Sequence, residues 1–129
     1  MNCLVDTDWV ADYLKGRTPA TTRLASLAEQ GIAISLITFG EIYEGIYFGE
    51  DPKVHEEGFR RFLRWVDVLP LNRPIMRTFA HLRGQLRQRG QLISDPDILI
   101  AATALYHDLT LITGNFRHFS RIPDLKVHR

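Results

Sequence analysis

Cysteine is almost absent from this sequence. Cys3 stands alone, so no internal disulfide can form, and a reducing compartment is the expected setting. Long apolar runs are missing as well: the greasiest stretch, residues 98–106, is far too short to span a bilayer, so no membrane association is expected. The opening Met-Asn-Cys-Leu-Val-Asp has no charged leader ahead of an apolar run. No signal peptide is expected, and the cytoplasm is the default location. Charge of one sign is not in excess either. With a formal net charge of +1 the chain is no polycation, and any nucleic-acid contact must come from local basic patches. The five histidines show no zinc-site spacing, such as two His at i,i+4 around a Glu. His55, His81, His107, His118 and His128 therefore read as surface or structural residues.

What is present is ordinary in amount and informative in order. The 129 residues suit one domain, 1–129, long enough to bury a core without disulfides or a structural metal. Hydrophobic residues at 45% and charged residues at 24% place it among globular proteins. Cys3-Leu4-Val5 is a short apolar run that reads as a buried strand ending at Asp6. Trp9, Val10, Tyr13 and Leu14 recur at helical spacing until Gly16. Residues 20–30 read as a second helix stopped by Gly31, and 32–34 as a second strand. Helical spacing resumes at Ile37, with Ile42/Ile46 and Tyr43/Tyr47 as i,i+4 pairs, and ends near Gly49. Residues 53–66 are amphipathic, with Phe59, Phe62, Leu63 and Val66 on one face. Val68-Leu69 reads as a strand, 74–89 and 96–107 as helices, 109–112 as a strand, and Lys126-Val127 as a final edge strand. Strands alternating with helices predict an α/β fold on a mainly parallel sheet. Such sheets bind ligands beyond the carboxyl ends of their strands, so the polar residues that follow the strands carry the functional question.

Asp6 ends the first strand. Thr7 or Asp8 can cap the helix that follows, which leaves Asp6 as an ionisable group against an apolar strand, a costly position unless it is used. Thr38-Phe39-Gly40-Glu41 matches a capping box. Ser35 can equally be the cap, which would leave Glu41 free in the second turn. In Ser94-Asp95-Pro96-Asp97, Asp95 is the expected cap with Pro96 at the first helical position, and Asp97 falls in the first turn of a buried helix. Thr113-Gly114-Asn115 follows the late strand; it reads either as a plain turn or as a second set of polar groups facing Asp6. Carboxylates gathered at one sheet edge repel one another unless neutralised. A hard divalent cation does that with oxygen ligands, and such a centre can activate water against a phosphodiester.

Four segments in order resemble the PIN-domain pattern, from residue 3 to about 127. Leu4-Val5-Asp6-Thr7 matches its opening strand and first Asp, and Ile37-Thr38-Phe39-Gly40-Glu41-Ile42 its Thr-x-x-Glu helix. Residues 97–104, Asp-Ile-Leu-Ile-Ala-Ala-Thr-Ala, are close to its most recognisable segment. Residues 111–119, Leu-Ile-Thr-Gly-Asn-Phe-Arg-His-Phe, resemble its late strand-and-turn block. The short length points to the VapC-type toxin branch. The resemblance implies a PIN-like three-layer α/β/α fold and an Mg²⁺- or Mn²⁺-dependent endoribonuclease, the toxin of a type II toxin–antitoxin pair. It implies catalytic Asp6, Glu41 and Asp97: Asp6 and Asp97 as principal metal ligands, with Glu41 binding metal directly or through water. Some members carry a fourth acidic residue where this chain has Asn115. An amide oxygen there is a weaker ligand, which puts a strict two-metal mechanism in doubt. Asp95 is a nearby carboxylate for partial compensation. Thr7, Thr113 and Arg117 are the candidate substrate contacts. The resemblance further implies a cognate antitoxin, which docks in an apolar groove and blocks the acidic pocket, and a toxin that forms a homodimer.

Arg60, Arg61, Arg64, Arg73, Arg77, Arg83, Arg87 and Arg89 concentrate in mid-chain and read mostly as solvated helix faces. Arg117, two residues past Asn115, is the best placed for phosphate. Tyr43, Tyr47, Phe48, Phe59, Phe62 and Trp65 read mostly as core. Three alternatives compete. Asp6-Thr7-Asp8 resembles the strand end of haloacid-dehalogenase-like phosphatases, with Asp6 as nucleophile and Asp8 as acid–base; that class also wants a late lysine, and Lys15, Lys53 and Lys126 lack the context. A phospho-acceptor receiver module would need a lysine–proline turn that Lys126-Val127 does not supply. A catalytically dead PIN scaffold fits poorly with three retained carboxylates.

Overall fold

The computed structural model describes residues 2–129 and builds one five-stranded sheet. In chain order the elements are β1 (Cys3–Val5), α1 (Thr7–Leu14), α2 (Ala20–Leu27) with a 3₁₀ turn at Ala28–Gln30, β2 (Ile32–Ser35), α3 (Leu36–Tyr47), α4 (Pro52–Phe62) and β3 (Val66–Leu69). They continue with α5 (Arg73–Gln88), α6 (Asp95–Tyr106), β4 (Thr110–Ile112), α7 (Phe116–Phe119) and β5 (Val127–His128). The strand order is β3-β2-β1-β4-β5, and every pairing is parallel. A receiver module takes the order 2-1-3-4-5, so the sheet itself excludes that alternative.

Alternation along the strands builds the three layers. Leu4, Ala33 and Leu111 face Ile75, Leu82, Leu86, Ile98 and Ala101 of α5 and α6. Cys3, Val5, Ile32, Ile34 and Ile112 face Val10, Leu24, Ile42, Phe59 and Phe62 of α1 to α4. Covered on both sides, these strands have no polar face, which is why they read as continuous apolar runs. Helix α6 is buried almost all round, with Ile98, Ile100, Ala101, Ala102, Thr103 and Ala104 all inside.

Three expected boundaries move. The helix expected over 53–66 stops at Phe62, and Val66 opens β3 opposite Ile32. The apolar face ran on because Val66 serves the same core from a strand. Residues 116–119 form a one-turn helix, too short to show a period. The α6 cap is Ser94, whose Oγ accepts from the Asp97 N–H at 3.4 Å; Asp95 instead accepts from Arg83 Nε at 2.8 Å, in an ion pair to α5. That pairing claims the carboxylate held in reserve to compensate for Asn115. Ser94→Ala should cost about 1 kcal/mol in urea unfolding, and Asp95→Ala less, because its ion pair is solvent-exposed. A larger loss from Asp95→Ala would return the cap to Asp95.

Candidate active site

Three helix starts gather at one edge of the sheet. β1 runs into α1 at Asp6, and β2 runs into α3 at Ser35. Helix α6 ends three residues before β4 begins, so it lies antiparallel to β4 and its N-terminus, with Asp97, stands at the strands' carboxyl ends. From β1 the chain moves outward to β2 and β3, then returns across to β4 and β5. The β1/β4 pair is therefore the switch point of the sheet, where a crevice opens between diverging connections.

Asp6 sits in that crevice and is 6% exposed. By backbone it is itself the N-cap of α1, against the expectation that Thr7 or Asp8 would cap. Its Oδ1 accepts from the Thr7 N–H at 2.8 Å, and its Oδ2 accepts from the Thr113 hydroxyl at 2.7 Å, a bond across the switch point. Each oxygen keeps a further lone pair. Burial pushes the Asp6 carboxyl up to about 6 from an ordinary 3.8; the Thr113 hydrogen bond opposes this, and the charges of Asp8 and Asp97 add to it. Asp97 is thus within electrostatic reach of Asp6.

Glu41 is exposed, yet it is held. Ser35 is the α3 cap, accepting from the Thr38 N–H at 3.0 Å, so the Thr38–Glu41 capping box does not form. Thr7 Oγ1 lies 2.7 Å from Glu41 Oε1 and 2.9 Å from Thr38 Oγ1. A carboxylate only accepts, so the single Thr7 hydroxyl hydrogen goes to Glu41 and the Thr38 hydroxyl donates to Thr7. Ser35 Oγ stands behind at 3.4 Å from Thr38 Oγ1. The result is a relay of hydroxyls that ends on Glu41.

Several expected contacts take other roles. Thr113 is fully buried; its hydroxyl donates to Asp6 and accepts from the Asn115 N–H at 3.0 Å. It therefore orients Asp6, and the Thr7 hydroxyl likewise engages Glu41. The Asn115 side-chain amide lies 2.9 Å from His118 Nδ1, so His118 takes the structural role of the two expected for it. Arg117 is exposed on α7 and forms none of the ion pairs among the described residues. Two surface hollows of about 660 and 420 Å³ run along α5, lined in part by Met76 and His81, and contain none of Asp6, Asp8, Glu41 or Asp97.

Asp8 was the unseen participant. Its Oδ1 accepts from the Trp9 N–H at 2.8 Å and its Oδ2 from the Gly114 N–H at 2.9 Å. With both oxygens on backbone amides, it is poorly placed for the acid–base role of the phosphatase alternative. Lys126, the late lysine that class would recruit, pairs with Asp108 at 2.9 Å.

Among the described residues no three Asp, Glu, His or Cys side chains already surround one point as a metal cage, so the three carboxylates do not share a finished site. A small hard cation does not require one. Mg²⁺ commonly uses one or two carboxylates and keeps several waters. Asp6 with free lone pairs, Asp97 within its field and Glu41 on the adjoining relay form an all-oxygen donor set. None of the described ion pairs involves any of them. The donor set fits a hard divalent ion.

The PIN domain family pattern matches residues 3–125. Ribonuclease VapC1 of Methanocaldococcus jannaschii is 35% identical over 127 residues, covering 97% of this chain and 85% of that protein. The crystal structure of VapBC2 from Rickettsia felis, bound to a DNA fragment from their promoter, superposes with a TM-score of 0.92 at 27% identity, covering 99% of this chain and 98% of that one. A toxin–antitoxin complex from Klebsiella pneumoniae superposes with a TM-score of 0.78 at 30% identity, over 99% and 97% of the two chains.

The raised Asp6 carboxyl has a definite sign in stability. Between about pH 4 and 6 the folded state binds the proton more tightly than the unfolded chain, so this group's contribution worsens as pH rises through that window. The full change is on the order of 3 kcal/mol for a shift of about two pH units. In EDTA, the melting temperature of wild type should fall between pH 4.5 and 7 more steeply than that of Asp6→Asn. Parallel profiles would show that Asp6 does not titrate in this way.

Proposed function

This chain belongs to the PIN-domain family and is a VapC-type ribonuclease, the toxin of a type II toxin–antitoxin pair, and from that premise we propose that it hydrolyses RNA phosphodiesters through Mg²⁺ or Mn²⁺ held by Asp6 and Asp97. The observation that supports this most is a buried, hydrogen-bonded Asp6 at the sheet switch point, within reach of the charge of Asp97, with neither carboxylate in any ion pair among the described residues. The ion supplies Lewis-acid polarisation of the phosphodiester and lowers the pKa of an attacking water.

The protein's own contribution is orientation. Thr113 and the Thr7 N–H fix the plane of the Asp6 carboxylate, so its remaining lone pairs point one way. Asp97 approaches from the first turn of α6, whose amide ends favour negative charge nearby. Glu41, steadied by the Ser35–Thr38–Thr7 hydroxyls, orients the attacking water and receives its proton. In-line attack breaks the P–O3′ bond and leaves a 5′-phosphate, while the departing 3′-oxygen takes a proton from solvent to become a hydroxyl. Asn115 offers one neutral oxygen at the rim, which favours one tightly held ion over two. Arg117 meets the phosphate backbone, so binding weakens with salt.

Partner surfaces follow from exposure. Tyr47 and Phe48 end α3, and Phe48 is 89% exposed; Val54 opens α4 beside them. The sequence reads the aromatics here mostly as core: Phe59 and Phe62 are buried, Tyr43 and Trp65 pack against them, and Tyr47 and Phe48 stand exposed. This apolar ledge is the surface we assign to the cognate antitoxin. The chain also pairs with itself as a homodimer, as the family resemblance implies.

Asp6→Asn and Asp97→Asn should each bring cleavage of total RNA to the no-enzyme background while far-ultraviolet circular dichroism stays native, and EDTA should do the same to wild type. Full cleavage by both variants would remove them from the centre. Phe48→Ser should weaken antitoxin binding at least tenfold, as loss of an anchoring aromatic does, with RNA cleavage unchanged. Unchanged binding would move the ledge elsewhere.

A further inference from the structure

One carboxylate at the acidic edge has no part in the reading above. Asp8 is exposed at the start of α1, yet both its oxygens are engaged by backbone N–H groups. The bond to the Trp9 N–H is local. The bond to the Gly114 N–H joins α1 to the turn after β4, across 106 positions of sequence. That turn carries Thr113, the residue whose hydroxyl reaches back to Asp6 Oδ2.

The identity of residue 114 is consistent with the contact to Asp8. A Cβ built there would stand 2.6 Å from Asp8 Oδ2, closer than real Cβ contacts come. Gly114 is not among the glycines with positive φ. Glycine thus gives room for this close approach of the carboxylate, which a larger residue would have to displace, and its φ is not one that only glycine adopts. Gly114 is itself exposed, so little packing holds the turn from outside.

We propose that Asp8 is a positioning residue for RNA cleavage: by clamping the Gly114 N–H it holds Thr113 against Asp6, and so presets the carboxylate that takes the divalent ion. The proposal rests on the reading that Asp6 is a metal ligand. Loss of the clamp leaves the Asp6 and Asp97 side chains intact but frees the turn that aims Asp6. Outer groups of this kind, which orient a ligand without touching the ion, commonly change metal affinity by about 10- to 100-fold.

The test is calorimetric titration of Mn²⁺ into the metal-free protein. Asp8→Ala and Gly114→Ala should each weaken Mn²⁺ binding about tenfold or more. Asp8→Asn keeps one oxygen for the Gly114 N–H and should recover most of that loss. The double variant Asp8→Ala/Gly114→Ala should bind no worse than Asp8→Ala, because the added methyl no longer meets a carboxylate. In wild type the Gly114 amide should exchange slowly with solvent by NMR, a readout that holds even where a variant does not fold. If Asp8→Asn binds as weakly as Asp8→Ala while Gly114→Ala binds like wild type, the effect is one of charge and the clamp is overturned. Wild-type affinity in all of them, or fast exchange at Gly114, overturns it too. Asp6→Asn separates the two levels: if it binds Mn²⁺ like wild type, the metal reading fails; if only it loses Mn²⁺, the metal reading stands and the clamp fails.

Discussion

A single hydrogen bond ties this structure to its chemistry: the Thr113 hydroxyl on Asp6 Oδ2. It spans the two strands between which the parallel sheet changes direction, and it lets a carboxylate sit almost fully buried at their carboxyl ends. A buried carboxylate beside other negative charges is unstable unless it is protonated or neutralised. Near pH 7 the proton leaves, and the demand for a cation remains. The fold thus stores an electrostatic imbalance at the sheet edge proposed to hold the ion and the phosphodiester. The surrounding elements serve that placement. α6 brings Asp97 in amide-end first, α3 brings Glu41 on a relay of hydroxyls, and Asp8 fastens the turn that carries Thr113.

Much of this was legible in the sequence, and what was legible shares a cause. Strands covered on both faces read as apolar runs, and amphipathic helices read by period, so the order of elements and the parallel sheet were accessible from residues alone. Asp6 and Asp97 stood out because each borders an apolar segment that has no ordinary use for a charge. Ser35 and Thr38 were equal candidates for one cap, and only the Ser35 Oγ contact with the Thr38 N–H separates them. Val66 was misplaced because a strand residue can continue the apolar face of the preceding helix. The α6 cap was assigned to Asp95 because Asp-Pro is a strong local signal; the competing pull of Arg83 comes from another helix and leaves no local trace. From the sequence Asp8 reads as a cap or as the acid–base of the phosphatase alternative, since its partner Gly114 lies in a distant turn, and Gly114 reads as a turn residue although its φ is not positive.

Family membership supplies what geometry leaves open, namely that the activity is ribonucleolytic and belongs to a toxin–antitoxin pair. Geometry supplies what membership leaves open, namely how this chain manages with an amide at position 115. Asn115 is turned toward His118 and donates its N–H to Thr113, so it takes part in the same network that aims Asp6. A centre built around one well-oriented carboxylate pair needs fewer charges than a symmetric two-ion site and repels itself less in the metal-free protein.

Asp6 and Asp97 are proposed to take one divalent ion between them. A crystal grown with Mn²⁺ and measured at the manganese edge tests it directly. One anomalous peak is expected, with an oxygen of Asp6 and an oxygen of Asp97 both at about 2.2 Å, the distance of a hard divalent ion from carboxylate ligands. Ordered Mn²⁺ bound elsewhere, with those two side chains turned apart, would contradict it.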